Sequence, residues 1–381
     1  MAIKVAPWFT RLLRRQEMKK LLALVFVSLW LVACSLEMQV TKGTGGSKAQ
    51  DPSLFTADEL RAATFSASKI LLQRLPTDEE LAKAAEGAAA YEEVLRRYLK
   101  DPAFLATMRN YHYTFFEMAG EVELPDRSKV NYNEPTNLAL KIIRDDLDYR
   151  QIVLANYCVD DALNEVPCST FGGNASLQAE HASGILTTRG FLAKWKHNFN
   201  FRLVGKAFRV LACAEYPDGS DSGLDAADLG NDEGRRNFAN SDTSGGLTNC
   251  YSCHRTINAR TVPYFSYNRN GLYTTNKDTS TPHPDQGVGN AKISQLLQDG
   301  VTPTYHGKPL TKVRDYAEGI VATNRFKTCM VQRFRSFVFG KSHLEPLPEA
   351  MENLVYNVEA NKFNVREVLV DIMTHPLFVK R

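Results

Sequence analysis

Along much of the chain the apolar residues recur at three- and four-residue intervals, the spacing that lines one face of an α-helix. Tyr91, Val94, Leu95, Tyr98 and Leu99 make one such stripe. Pro102 punctuates it, because the residue before a proline is pushed out of the helical backbone region. Thr56 with Glu59, and Thr77 with Glu80, carry the spacing of a capping box and predict two helix starts. Residues 184–213 hold another helical pattern ending in Phe208-Arg209-Val210-Leu211-Ala212-Cys213. Phe326, Met330, Phe334 and Phe337 share a further apolar face. No stretch alternates apolar and polar residues for long, so the expected class is mainly α.

The pattern also repeats. Tyr91-Glu92-Glu93-Val94-Leu95 through Asp101-Pro102-Ala103-Phe104 aligns without a gap on Val365-Arg366-Glu367-Val368-Leu369 through His375-Pro376-Leu377-Phe378. Upstream, Leu75-Pro76 matches Leu347-Pro348 with a small difference in length. Matched proline, phenylalanine and stripe positions imply a shared helical-hairpin motif. In that alignment Met373 stands at the place of Leu99 and His375 at the place of Asp101, which gives both a structural part.

The first fifty residues differ in character. Met18-Lys19-Lys20 precedes the apolar run Leu21 to Val32, too short to span a bilayer comfortably and typical of a signal peptide. The run closes in Leu31-Val32-Ala33-Cys34, which resembles the bacterial lipobox, so Cys34 is the expected site of lipidation and residues 1–33 the part removed. Several acyl chains on one cysteine anchor stably, since each buried methylene contributes about 0.8 kcal/mol. Ser35 fits outer-membrane sorting, which places the chain in the bacterial cell envelope as a lipoprotein. Residues 34–55, with Lys42-Gly43-Thr44-Gly45-Gly46-Ser47 at their centre, read as the lipidated cysteine and a flexible tether.

Charge then changes sign. The 381 residues carry a formal +3, but Lys4, Arg11, Arg14, Arg15, Lys19 and Lys20 against Glu17 put +5 of it before Cys34. The remainder stands at −2, so no nucleic-acid partner is expected. The acidic Gly/Asn/Asp-rich stretch after Asp218 lacks the EF-hand spacing and reads as a solvated loop.

Seven cysteines are present, at 34, 158, 168, 213, 250, 253 and 329. With Cys34 given to lipid and Cys250 and Cys253 to the motif below, an even four remain, as two disulfides in an oxidising compartment require. Cys158 and Cys168, close in sequence, are expected to pair, leaving Cys213 and Cys329 as a long-range staple.

Cys250-Tyr251-Ser252-Cys253-His254 is the strongest chemical signal. Two thiols so spaced add to the vinyl groups of haem, and the adjacent histidine reaches the iron from one axial side. A zinc site would need a second close pair of ligands, and a thioredoxin-like pair would need a βαβ context; neither is present. One covalent haem c is therefore expected, bound by Cys250 and Cys253 with His254 on the metal. Met330 is the first candidate for the opposite axial position by chain order and stripe, although a methionine on such a stripe is commonly plain core. His197, His283 and His306 are its rivals, and an open sixth position is a further alternative.

The haem segment and its surroundings resemble the planctomycete-type cytochrome domain families, exported multi-domain haem proteins. The residues that carry the resemblance are Cys253-His254-Arg255-Thr256-Ile257-Asn258-Ala259 and, after them, Tyr267-Asn268-Arg269-Asn270-Gly271-Leu272-Tyr273. Asn258-Ala259 stands where those families have Asp-Pro. Gly184-Ile185-Leu186-Thr187 with Phe191-Leu192-Ala193, and Phe326-Lys327-Thr328-Cys329-Met330 through Phe337-Val338-Phe339-Gly340, resemble further segments in the same order. The resemblance implies a fold and a haem, and no substrate. Helical units are thus expected to flank a cytochrome c-like haem module: a helical region at 56–215, the module at 216–345 and a C-terminal helical repeat unit at 346–381. A single haem makes no internal wire, so electrons must pass to or from a redox partner protein, with the membrane reached through the lipid anchor. The alternatives are a haem-dependent enzyme, such as a peroxidase or an oxidoreductase subunit, and a scaffold whose haem is structural.

Overall fold

In the computed structural model, residues 54–170, 174–195, 201–215, 224–225, 259–268, 270–274 and 302–381 are described. Residues 49–381 form one compact unit. Residues 1–53, with the expected leader, Cys34 and most of the expected tether, lie outside the described residues.

Both predicted capping boxes form. The Thr56 hydroxyl accepts the Glu59 N–H, and the Glu59 carboxylate accepts the Thr56 N–H at 2.7 Å, opening α1 (Ala57–Leu72). Thr77 and Glu80 do the same for α2 (Asp78–Ala84). Two orphan amide donors are satisfied at each start. The stripe Tyr91, Val94, Leu95, Tyr98 and Leu99 is the buried face of α3 (Ala88–Lys100). Asp101 then turns extended, and Pro102 opens α4 (Pro102–Phe116), where its missing N–H costs nothing.

The middle of the chain is less regular. A hairpin of β1 (Glu121–Glu123) and β2 (Lys129–Asn131) leads into α5 (Glu134–Arg144), which packs on α4. After α6 (Gln151–Leu154), β3 (Cys158–Val159) and β4 (Glu165–Val166) pair. The expected Cys158–Cys168 disulfide closes this small hairpin, with Cα atoms 4.9 Å apart. The helical pattern of 184–213 resolves into α7 (Arg189–Trp195) and α8 (Phe201–Ala212). Cys213 follows directly and is bonded to Cys329, as expected, with Cα atoms 5.1 Å apart.

The chain continues through β5 (Leu224–Asp225), β6 (Thr304–Tyr305) and β7 (Lys308–Pro309), which form one three-stranded sheet in that order. Helices α9 (Val313–Val321), α10 (Asn324–Phe339), α11 (Asn353–Ala360), α12 (Val365–Thr374) and α13 (Pro376–Val379) complete it. The described residues are mostly helical, and every strand is two or three residues long. None of the described helices is long and apolar enough to cross a membrane.

The sequence repeat is a structural one. Asp101 and His375 have nearly the same backbone angles (φ −68°, ψ 136° and φ −66°, ψ 140°), and each precedes a proline at the first helical position. Each also caps its helix, Asp101 accepting the Ala103 N–H at 2.8 Å and His375 Nδ1 the Leu377 N–H at 3.2 Å. His375 Nε2 donates to the Ala350 carbonyl, so both ring nitrogens serve structure. The correspondence reaches back beyond Leu347. Like α1, α10 has 16 residues and a threonine cap, and it ends on a left-handed residue: Gly340 at φ 64°, where α1 has Gln73 at φ 56°. Thus α1 to α4 answer to α10 to α13. The middle helices of the two copies, α3 and α12, pack together antiparallel. Tyr91 near the start of α3 bonds the Met373 carbonyl near the end of α12, and Arg366 near the start of α12 bonds the Leu99 carbonyl near the end of α3. Such reciprocity is the signature of a two-fold contact between like surfaces. Leu95 and Leu369, equivalent in the repeat, are both fully buried.

Candidate functional site

The motif Cys250-Tyr251-Ser252-Cys253-His254 lies outside the described residues, as do His197 and His283. Five residues beyond His254 the chain is in the core, where Ala259, Arg260, Thr261, Val262, Tyr264 and Phe265 are all buried. The Arg260 guanidinium stands 5.2 Å from the ring centre of Phe208 on α8, 5.8 Å from Tyr305 on β6 and 6.0 Å from Tyr316 on α9. Burial in this enclosure pulls the Arg260 pKa below its ordinary value, against the neighbouring tyrosines, which raise it. Tyr305 is itself fixed by Gly319, since a Cβ there would sit 2.2 Å from the Tyr305 ring. Aromatic rings and a buried guanidinium thus surround the described chain shortly after the motif.

Two of the segments singled out in the sequence pack together. Tyr267 and Tyr273 pair as an antiparallel bridge around a turn in which Asn268 Oδ1 accepts the N–H groups of Asn270 and Leu272. Gly271 at φ 74° lies against α7; a Cβ there would come within 2.8 Å of the Arg189 carbonyl and 3.0 Å of Leu192. The Tyr267 hydroxyl donates to the His181 carbonyl at 2.9 Å, and Tyr273 stacks on the His181 ring. The stretch 184–193 before the motif and the stretch 267–273 after it therefore form one packed layer. The third segment is joined to α8 by Cys213–Cys329.

Met330 is 2% exposed in the core of α10, next to Cys329. Of its stripe, Phe326 packs on Phe363 and Phe334 on Tyr149, while Phe337 meets Tyr111. His306 sits exposed at the tip of the β6–β7 hairpin, where it and Gly307 both have positive φ, as a tight hairpin turn requires.

Several buried polar groups had no local sequence signal. Glu134, at the start of α5, accepts the Gly190 N–H at 3.0 Å and so caps α7 from a distant part of the chain. Burial pushes its pKa up to about 7, although the Gly190 N–H and the Arg189 charge favour the carboxylate. Arg333 is almost fully buried, donating to the Tyr149 hydroxyl and the Val210 carbonyl. His112 Nδ1 donates to the Met108 carbonyl at 2.8 Å, and burial depresses its pKa to about 3.

No protein-family model, curated protein or solved structure matches the chain.

Proposed function

We propose that this chain is an exported, lipid-anchored c-type cytochrome that passes electrons to or from a redox partner protein. The observation that carries the reading is the contiguous motif Cys250-Tyr251-Ser252-Cys253-His254, whose two thiols would hold one haem c and whose histidine would bind its iron. A bound haem supplies the one-electron iron couple. Arg260 and the rings around it form a wall close after the motif that fits such a group, which supports the reading. The paired Cys158–Cys168 and Cys213–Cys329 fit an oxidising compartment. The proposed anchor is the lipid on Cys34, in the outer membrane of a bacterial envelope, and the resemblance to the planctomycete-type cytochrome domains is part of the same proposal.

The experiment is a haem-linked peroxidase stain of the denatured protein. Stain at the mass of the chain, lost in Cys250→Ala with Cys253→Ala, supports the proposal; unstained wild-type protein from a haem-maturing host overturns it. Absorption spectra then separate electron carriage from catalysis. A six-coordinate, low-spin iron fits a carrier closed by a side chain such as Met330. Ready binding of carbon monoxide or cyanide, with turnover of peroxide, points instead to a haem-dependent enzyme.

A further inference from the structure

The polar side of α8 is basic over its whole length, with Arg202, Lys206 and Arg209 at four- and three-residue spacing, while Leu203, Val204, Ala207, Phe208, Val210 and Leu211 face the core. Trp195 at the end of α7 brings this stripe together with Lys194. Its ring centre lies 5.0 Å from Lys206 Nζ, 5.7 Å from Lys194 Nζ and 5.9 Å from the Arg202 guanidinium. Two carboxylates answer these cations. Glu117, just past α4, takes Lys206 Nζ at 2.7 Å, and Glu215 takes Arg209 at 2.9 Å. Among these six described groups, four cations face two anions.

Independent of charge, three nitrogens of the cluster lack a hydrogen-bond partner although they are shielded from water: Trp195 Nε1, Arg209 Nε and His343 Nε2. Trp195 is only 8% exposed, so its orphaned donor carries a real desolvation penalty. His343 belongs to the same neighbourhood. It packs edge-on against Phe115, whose carbonyl also accepts from Lys206. Burial is the main force holding its pKa down at about 4, helped by the charges of Arg333, Arg209 and Lys206 and opposed by Glu117. Surplus positive charge and unanswered N–H donors have one common remedy, a group with negative charge and several acceptor oxygens.

We propose that Lys194, Trp195, Arg202, Lys206, Arg209 and His343 form a binding site for an oxyanion of the phosphate class. An anion answers the surplus positive charge of these described groups, and its oxygens offer acceptors to their unpartnered nitrogens. A bound anion favours the protonated imidazole, so it raises the His343 midpoint.

The test is calorimetric titration of the intact protein with sodium phosphate at constant ionic strength, with chloride as control, and NMR titration of the His343 ring. A saturable site is expected, with the His343 midpoint higher in phosphate than in chloride. Trp195→Phe keeps an aromatic ring and removes the N–H, and Arg202→Ala removes an exposed cation of the cluster; each should weaken phosphate about tenfold or more, as losing a hydrogen bond to a charged group does. Vesicles containing phosphatidic acid that displace phosphate would place the phosphoryl group on a lipid; vesicles without effect would place it free in solution. Absence of saturable binding, unchanged affinity in Trp195→Phe, or an identical His343 midpoint in both salts overturns the proposal.

Discussion

Tyr91 donates its hydroxyl proton to the carbonyl of Met373, 3.0 Å away, across the seam between α3 and α12. The two residues are 282 positions apart, and their bond fastens the first helical copy to the second. Tyr91→Phe keeps the ring and should cost about 1 kcal/mol, the usual net worth of one hydrogen bond. Leu95→Ala and Leu369→Ala remove equivalent, fully buried side chains at the centre of the seam, and each should cost about 2–5 kcal/mol. Urea unfolding of the three variants checks these values. A much smaller loss at one leucine than at the other would contradict the two-fold packing.

Glu134 makes stability pH-dependent. Its folded pKa of about 7 lies above the ordinary 4.5, because burial disfavours the carboxylate. Between those values the folded protein binds more protons than the unfolded chain, so this stabilisation is complete below the unfolded pKa and is lost as pH rises through about 7. The whole effect is about 3 kcal/mol by proton linkage. Glu134→Gln can still accept the Gly190 N–H but does not titrate. Urea midpoints measured from pH 5 to 8 should fall in the wild type relative to this variant. Parallel curves would show that Glu134 ionises as an ordinary carboxylate.

The Cys213–Cys329 bridge ties α8 to α10 across 116 residues of sequence. Replacing both cysteines by serine should lower stability by about 2–5 kcal/mol, since the unfolded chain regains the freedom of a long loop. Peptide mapping without reductant should recover this pair and Cys158–Cys168, and thermal unfolding gives the size of the loss.

Gly184 holds φ at 47°, and a Cβ there would sit 2.2 Å from the Ile152 carbonyl oxygen. The amides of Gly184 and Ile185 also bond the carbonyls of Ala155 and Ile152, so the backbone cannot retreat without breaking both. Gly184→Ala should destabilise the protein more than an ordinary surface substitution, whose effect is about 0.5 kcal/mol or less. A melting temperature equal to that of the wild type would rule out this close approach.

Met330→Ala separates a ligand from a core residue. Its side chain is buried, so the variant should lose about 2–5 kcal/mol in either case. If Met330 also closes the iron, the absorption spectrum should move towards high spin and the reduction potential should fall, because methionine ligation raises it. Loss of stability with an unchanged spectrum assigns Met330 to the core alone.

Local chemistry was legible in the chain itself. The two capping boxes, the α3 stripe, the stop at Asp101-Pro102 and its copy at His375-Pro376 each depend on contacts within a turn or two of helix, so a few neighbouring residues suffice to specify them. The even number of spare cysteines pointed to the disulfides, while the proposed haem residues at 250–254 rest on the sequence motif alone. Tertiary structure alone decided the rest. That α3 packs on its own repeat, that Glu134 caps a helix 56 residues away, and that Arg260 sits among Phe208, Tyr305 and Tyr316 all come from long-range packing. So does the gathering of Lys194, Trp195, Arg209 and His343. Desolvation and charge coupling depend on distance in space, and no spacing along the sequence measures that distance.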